Sequence, residues 1–198
     1  YSGAVSELTT FAETHNIPVV ETIAGRANMI ATHPLNIGPI GVTGSDSANA
    51  IAAQADVVVA VGTRLQDFTT GSWTAFDAQA RFIAINTARF DALKHMSQPI
   101  VGDAKTAMPM LSAALEGLRA PDAWMQTAQD ERRNWDAYVV RNVAPDNGPN
   151  SYAKAIGIVN ALCDPRDRVV AAAGGLPAEV TANWRTLDIG TVDVEFGF

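Results

Sequence analysis

Cysteine is almost absent: Cys163 stands alone among 198 residues. No internal disulfide can form, so stability must come from burial, and a reducing cytoplasm is the natural compartment. No neighbouring motif marks that thiol as a nucleophile, and it reads as a buried core residue. Basic residues are scarce as well. Fourteen Lys and Arg against 21 Asp and Glu leave a net charge of −7. With no clustered basic face, neither nucleic acid nor an anionic membrane is expected as a partner. The strongest apolar run, Val57–Val61, is far below the roughly 20 residues that a membrane-spanning helix needs. Tyr1-Ser2-Gly3-Ala4 has neither an initiator Met nor a basic leader and reads as an internal start rather than a signal peptide. What is present is ordinary for a globular chain: 47% hydrophobic and 18% charged residues, with 15 Gly and 10 Pro. That balance excludes disorder, coiled coil and collagen.

Helical and strand patterns alternate from the start. Val5, Leu8, Phe11 and Ala12 recur at helical spacing up to His15-Asn16, and Pro18 to Thr22 is a short β-like segment. Ser45 is placed to cap an Ala-rich helix over Ala48 to Ala55. The next run, Asp56 to Gly62, is apolar on both faces, as expected of a central parallel strand under helices. Arg81 to Asn86 repeats the pattern, Pro99 to Gly102 is a third such strand, and a helix is expected from Lys105 to Leu118. Strands alternating with helices predict a doubly wound, mostly parallel α/β sheet of Rossmann-like form.

The pattern changes after Arg119-Ala120-Pro121. Asp122 can cap a long polar helix through Arg141 carrying Trp124, Ala128, Trp135, Tyr138 and Val139 on one face, and Ala144 to Asn150 then breaks the chain. The organisation read from this is a first α/β unit over 1–120, a helical linker over 121–150, and an incomplete second α/β unit over 151–198. The second unit opens with a helix from Ser151 to Leu162 and a strand from Arg168 to Ala173 that runs into Gly174-Gly175.

Two glycine-bearing strand ends carry what chemistry the residues suggest. Gly38-Pro39-Ile40-Gly41-Val42-Thr43-Gly44 precedes a capped helix and could present backbone N–H groups to an anion. The spacing is GxxGxxG rather than the dinucleotide GxGxxG, and it serves a tight turn at positive φ equally well. Gly62-Thr63-Arg64-Leu65-Gln66-Asp67 follows the strongest strand, at the carboxyl edge where doubly wound sheets bind ligands. Arg64 can pair there with a phosphate or with Asp67. His15, His33 and His95 are scattered, without metal-ligand spacing. No GxSxG elbow and no phosphate-loop lysine occurs, and Asp103 reads as a turn or cap residue. No catalytic residue and no metal ligand is assigned within the chain.

The stretch His33 to Gly44, continued by Ala55 to Trp73, resembles the middle domain of thiamine-diphosphate enzymes of the acetolactate synthase type. Within that superfamily Gly62 to Trp73 most resembles the ring-opening hydrolases of myo-inositol catabolism. Ala171 to Pro177 and Val194-Glu195-Phe196-Gly197-Phe198 resemble the diphosphate-binding domain of the same enzymes.

The resemblance implies a three-domain subunit in a homo-oligomer, of which this chain is a fragment. Residue 1 would fall just after the middle domain's first strand. The activating glutamate would lie upstream and the Mg²⁺ ligands downstream, so the fragment alone is expected to be inactive. The resemblance also implies thiamine diphosphate contacts at Gly174, Gly175 and Leu176. Flavin-containing relatives have a nucleotide site, for FAD or ADP, at the positions of Val42, Thr43, Gly44, Gly62, Thr63 and Arg64. The substrate it implies is a small cyclic 1,2-diketone, opened to 5-deoxyglucuronate by hydrolysis of a C–C bond. A carboligase of the acetolactate synthase kind and a free-standing nucleotide-binding module are the alternatives.

Overall fold

The computed structural model describes residues 2–144, 146, 148–172 and 174–194. Tyr1, Pro145 and Asn147 of the expected breaker, Ala173, and the 195–198 stretch of the resemblance lie outside the described residues.

Helix α1 (Val5–His15) ends where Asn16 takes a left-handed φ of 54°, a conformation that Asn tolerates better than most residues. The chain then enters β1 (Val19–Glu21), which pairs in parallel with β2 (Asn36–Pro39). Helix α2 (Asp46–Gln54) is capped as its sequence predicts, the Ser45 hydroxyl accepting from the Ala48 N–H at 3.1 Å. A second parallel sheet has the order β3 (Val57–Val61), β4 (Arg81–Asn86), β5 (Gln98–Val101). Short helices α3 (Asp67–Thr70) and α4 (Arg89–Ala92) join its strands. Helix α5 (Ala104–Ala114) follows, with Asp103 as its cap. It stops at Ala114 rather than at the expected Leu118, because the chain turns through Gly117 at φ 79°.

Period-two alternation buries both faces of this second sheet. Val59, Val61 and Ile85 face α1 and α5, where Phe11, Ala107 and Met108 complete the cluster. Val58, Ala60, Phe82 and Ala84 face the opposite way, onto Leu65, Trp73 and Phe76.

In one respect β3 departs from the sequence reading: it lies at a sheet edge, not at the centre. The Arg81 N–H donates to Asp56 O and the Gly62 N–H to Ile85 O. Even-numbered residues of β3 therefore turn their backbone groups toward β4, while Val57, Val59 and Val61 turn theirs to the open side. The pairs β2-β1 and β3-β4-β5 match the outer places of the doubly wound order 3-2-1-4-5-6. Among the described residues no strand fills the central place between β1 and β3. Helix α1 straddles that seam, with Phe11 in the β3 cluster and Ala12 in the cluster beside β1.

Helix α6 (Asp122–Val143) is not capped by Asp122. Its N-cap is Pro121, and the Asp122 carboxylate, inside the first turn near the helix's positive end, accepts from Asn16 Nδ2 at 3.2 Å. Met125 and Ala128 of α6 join Ala12, Met29, Leu35, Ile37 and Ile51 in the first core. Its other end meets α7 (Tyr152–Leu162), where a Cβ on Gly157 would lie 2.5 Å from Val143 Cβ. The helix thus touches both units.

Strand β6 (Val169–Ala171), helix α8 (Gly175–Asn183) and strand β7 (Val192–Val194) make a parallel βαβ unit. Its core of Ile156, Val180, Trp184 and Val192 also takes in Ala27 from the loop after β1. Cys163 packs half-buried against that cluster. Every paired strand is parallel to its neighbour, and the fold is α/β.

Candidate functional site

The carboxyl ends of β2 and β3 bring the expected nucleotide residues to one edge. Gly41 adopts φ 114°, and an added Cβ would sit 2.2 Å from the Phe68 carbonyl oxygen; at Gly44 it would sit 2.5 Å from Pro39 O. Most amides of this turn are already engaged, that of Thr43 excepted among the described residues. Gly41 N–H donates to Asn49 Oδ1, Val42 N–H to Phe68 O, Gly44 N–H to Gly41 O and Ser45 N–H to Pro39 O, all within 2.9 Å. Of the two uses that the GxxGxxG spacing allows, the close-packed turn is the one observed. Val42 is exposed, and the buried Thr43 Oγ1 has no hydrogen-bond partner among the described residues.

The loop after β3 is more open. Gly62 has φ 64°, and a Cβ added there would meet none of the described residues within 4 Å. The Thr63 hydroxyl accepts from Leu65 N–H at 3.2 Å, and its carbonyl accepts from Asn86 Nδ2 at 3.1 Å. Lys94 Nζ donates to the Arg64 carbonyl at 3.0 Å. The Arg64 side chain is exposed, and among the described residues it forms no ion pair, with Asp67 or otherwise. The turn at Gly41 to Gly44 and this loop meet through Phe68, which lies at the start of α3.

The second edge is the end of β6. Gly174 has φ 144° and ψ −170°, a region essentially reserved for glycine, and precedes α8, whose first turn receives no side-chain cap. Added Cβ atoms at Gly174 and Gly175 would meet none of the described residues within 4 Å. Leu176 is half-exposed and Pro177 is buried behind it. A helix start without a side-chain cap, after glycines that no other described residue crowds, fits a diphosphate group, since backbone N–H groups and the helix dipole favour negative charge there.

Sequence reasoning missed the polar residues that brace these loops. Asn86 is buried at the end of β4 and holds Thr63, while Asn49 in α2 clamps Gly41 from both sides. It also missed a buried ion pair. Arg26 Nη1 lies 2.6 Å from Glu21 Oε2, and both side chains are under a tenth exposed. Burial pulls the Arg26 guanidinium below its usual range, with Glu21 opposing that pull. An Asn at a strand end, or a Glu and an Arg spaced by five, gives no sequence pattern that separates such residues from surface ones. Among the described residues no cluster of His, Cys, Asp or Glu could hold a metal ion, and no helix is long and apolar enough to cross a membrane.

Comparison with known proteins gives the family context. Residues 1–111 match the central domain of thiamine pyrophosphate enzymes. The chain is 33% identical over its whole length to 3D-(3,5/4)-trihydroxycyclohexane-1,2-dione hydrolase of Clostridium perfringens strain 13, covering 35% of that protein. The protein of the same name from Bacillus thuringiensis strain Al Hakam gives the same identity and coverage, and that of Bacillus cereus strain AH820 is 32% identical. The chain spans about a third of the length of these relatives.

Proposed function

Because this chain belongs to the thiamine pyrophosphate enzymes, through their central domain, we propose that it is part of a thiamine-diphosphate-dependent hydrolase. That enzyme opens the ring of trihydroxycyclohexane-1,2-dione to 5-deoxyglucuronate, with Mg²⁺ as its metal, as a homo-oligomer in the cytoplasm. The relatives' names support the substrate class. Water's hydroxyl ends on the acyl carbon as a carboxylic acid and its proton on the neighbouring carbon. Bound thiamine diphosphate supplies the sink for the electron pair of the cleaved C–C bond.

The observation that carries the reading is the end of β6, where Gly174 in its glycine-only conformation opens onto the uncapped start of α8. Gly174, Gly175 and Leu176 are the residues of this chain that would hold the diphosphate. The residues of the first edge, Thr43, Gly62, Thr63 and Arg64 with Val42 and Gly44, would line an adenine nucleotide where the family keeps one. The open loop at Gly62 supports that role better than the close-packed turn at Gly41 does.

The intact parent enzyme provides the test. Supplied with the cyclic dione, thiamine diphosphate and Mg²⁺, it should consume the dione and release a carboxylic acid, and neither should occur without the cofactor. Condensation of pyruvate with no ring opening would replace this reading by the carboligase one.

A further inference from the structure

The loop between β1 and β2 holds the second unit by its polar groups, and Arg26 is the centre of that grip. Arg26 Nη2 donates to the Trp184 carbonyl at 2.9 Å, at the C-terminal end of α8. Two backbone bonds flank it, Ala31 N–H to Thr186 O at 2.7 Å and Gly190 N–H to Ala27 O at 2.9 Å. Glu21 fixes the loop in turn. One carboxylate oxygen takes the Arg26 guanidinium, and the other accepts from the N–H groups of Asn28 and Met29 at 3.0 and 3.1 Å. Arg26 therefore sits in a rigid loop with one arm of its fork on β1 and the other on α8.

Stability alone does not account for such a pair. Burying two charges costs free energy that their attraction barely returns, and apolar residues of similar volume would do as well or better. Arg26 Nε is buried without a partner among the described residues, which adds to that cost. What the pair supplies is direction: a planar fork with one nitrogen on Glu21 and the other on the Trp184 carbonyl holds two elements in one geometry where apolar contacts would let them slide. The element it holds is α8, nine residues that begin at Gly175 and end next to Trp184. A cation at the C-terminal end also complements the helix dipole whose opposite end faces the proposed diphosphate.

We propose that Arg26, oriented by Glu21, is a positioning residue for thiamine diphosphate: it aims the start of α8 at the diphosphate from the far end of the helix. The inference rests on the assignment of Gly174, Gly175 and Leu176 to that group.

Three variants of the intact parent enzyme test it: the charge-free pair Glu21→Gln with Arg26→Met, the single change Arg26→Lys, and Gly175→Val as a reference for the diphosphate loop. Arg26→Lys keeps the charge beside Glu21 and loses the arm that reaches Trp184, so it stays informative if the double variant does not fold. Thiamine diphosphate affinity is measured by calorimetry, the melting temperature of the cofactor-free enzyme by circular dichroism, and kcat at saturating cofactor. Misplacing the helix should weaken cofactor binding about tenfold in both Arg26 variants, with kcat at saturation within about twofold and the cofactor-free melting temperature nearly unchanged. Unchanged affinity in the Arg26 variants while Gly175→Val weakens binding would overturn the positioning role. Unchanged affinity in Gly175→Val would instead overturn the assignment of the diphosphate loop. A lower melting temperature with normal affinity in Arg26→Lys would show that the pair merely stabilises the fold.

Discussion

Gly174 and Gly175 are adjacent, yet the structure predicts opposite outcomes when each is replaced by alanine. Gly174 has φ 144° and ψ −170°, so a Cβ there forces the backbone out of a glycine-only region at a cost of about 1–3 kcal/mol. Gly175 is the first residue of α8, carries no positive φ, and has open space around its added Cβ. Alanine there restricts the unfolded chain without strain and should stabilise by about 0.4–1 kcal/mol. For a chain of this size each kcal/mol moves the melting temperature by about 2–4 °C. Gly174→Ala should therefore lower the melting point of this chain by roughly 2–12 °C, and Gly175→Ala should leave it level or raise it by up to about 4 °C.

Cofactor affinity separates the turn from the binding site. If a diphosphate occupies the space beside Gly175, one added methyl overpacks it by about 1–3 kcal/mol, which is about 5- to 150-fold in Kd. Calorimetric titration of the intact Gly175→Ala enzyme with thiamine diphosphate, run beside thermal melts, reads both quantities. Weaker binding with an undiminished melting point is the expected result. Normal affinity, or a melting point that falls as far as in Gly174→Ala, would refute the reasoning and leave these glycines as a strand-to-helix turn.

At the first edge, Gly41→Ala combines a φ of 114° with a Cβ 2.2 Å from Phe68 O. It should destabilise by about 3–5 kcal/mol in urea unfolding; a loss under 1 kcal/mol would mean that the turn is not packed against α3. Ser45→Ala removes both the cap on Ala48 and the buried bond to Pro39 O, and should cost about 1–2 kcal/mol by the same measurement. Residue-resolved hydrogen exchange of this chain should protect the amides of Val58 and Ala60 and leave those of Val57, Val59 and Val61 fast, given the single-sided pairing of β3. In the intact parent both sets should be slow, since we propose that a further parallel strand lies between β1 and β3. Fast exchange of the odd set there as well would rule that strand out.

The alternation of helix and strand was legible because its determinants are local. Ser45 before an Ala-rich run, Asn16 after an amphipathic turn, and Asp103 before a helix each act within a few residues, and unbroken apolar runs show which strands are covered on both faces. Places in a sheet are not local. Val57–Val61 has the composition of a central strand and lies at an edge, because its position depends on which other strand reaches its open side. The Glu21–Arg26 pair was invisible for a related reason: its meaning comes from Trp184, 158 residues beyond Arg26.

The glycines bring out most clearly what the residues alone could not settle. Gly41 and Gly175 both follow strands and precede helices, and both suit the approach of an anion to backbone N–H groups. In the folded chain the space beside Gly41 is taken by the Phe68 carbonyl and its amide is bound to Asn49, whereas among the described residues nothing fills the space beside Gly175 and no side chain caps its helix. A glycine in the sequence leaves room where a Cβ would be. Only the tertiary neighbour tells whether the protein itself or a ligand fills the place where that Cβ would be, and on that criterion the end of β6 has the stronger claim to a ligand.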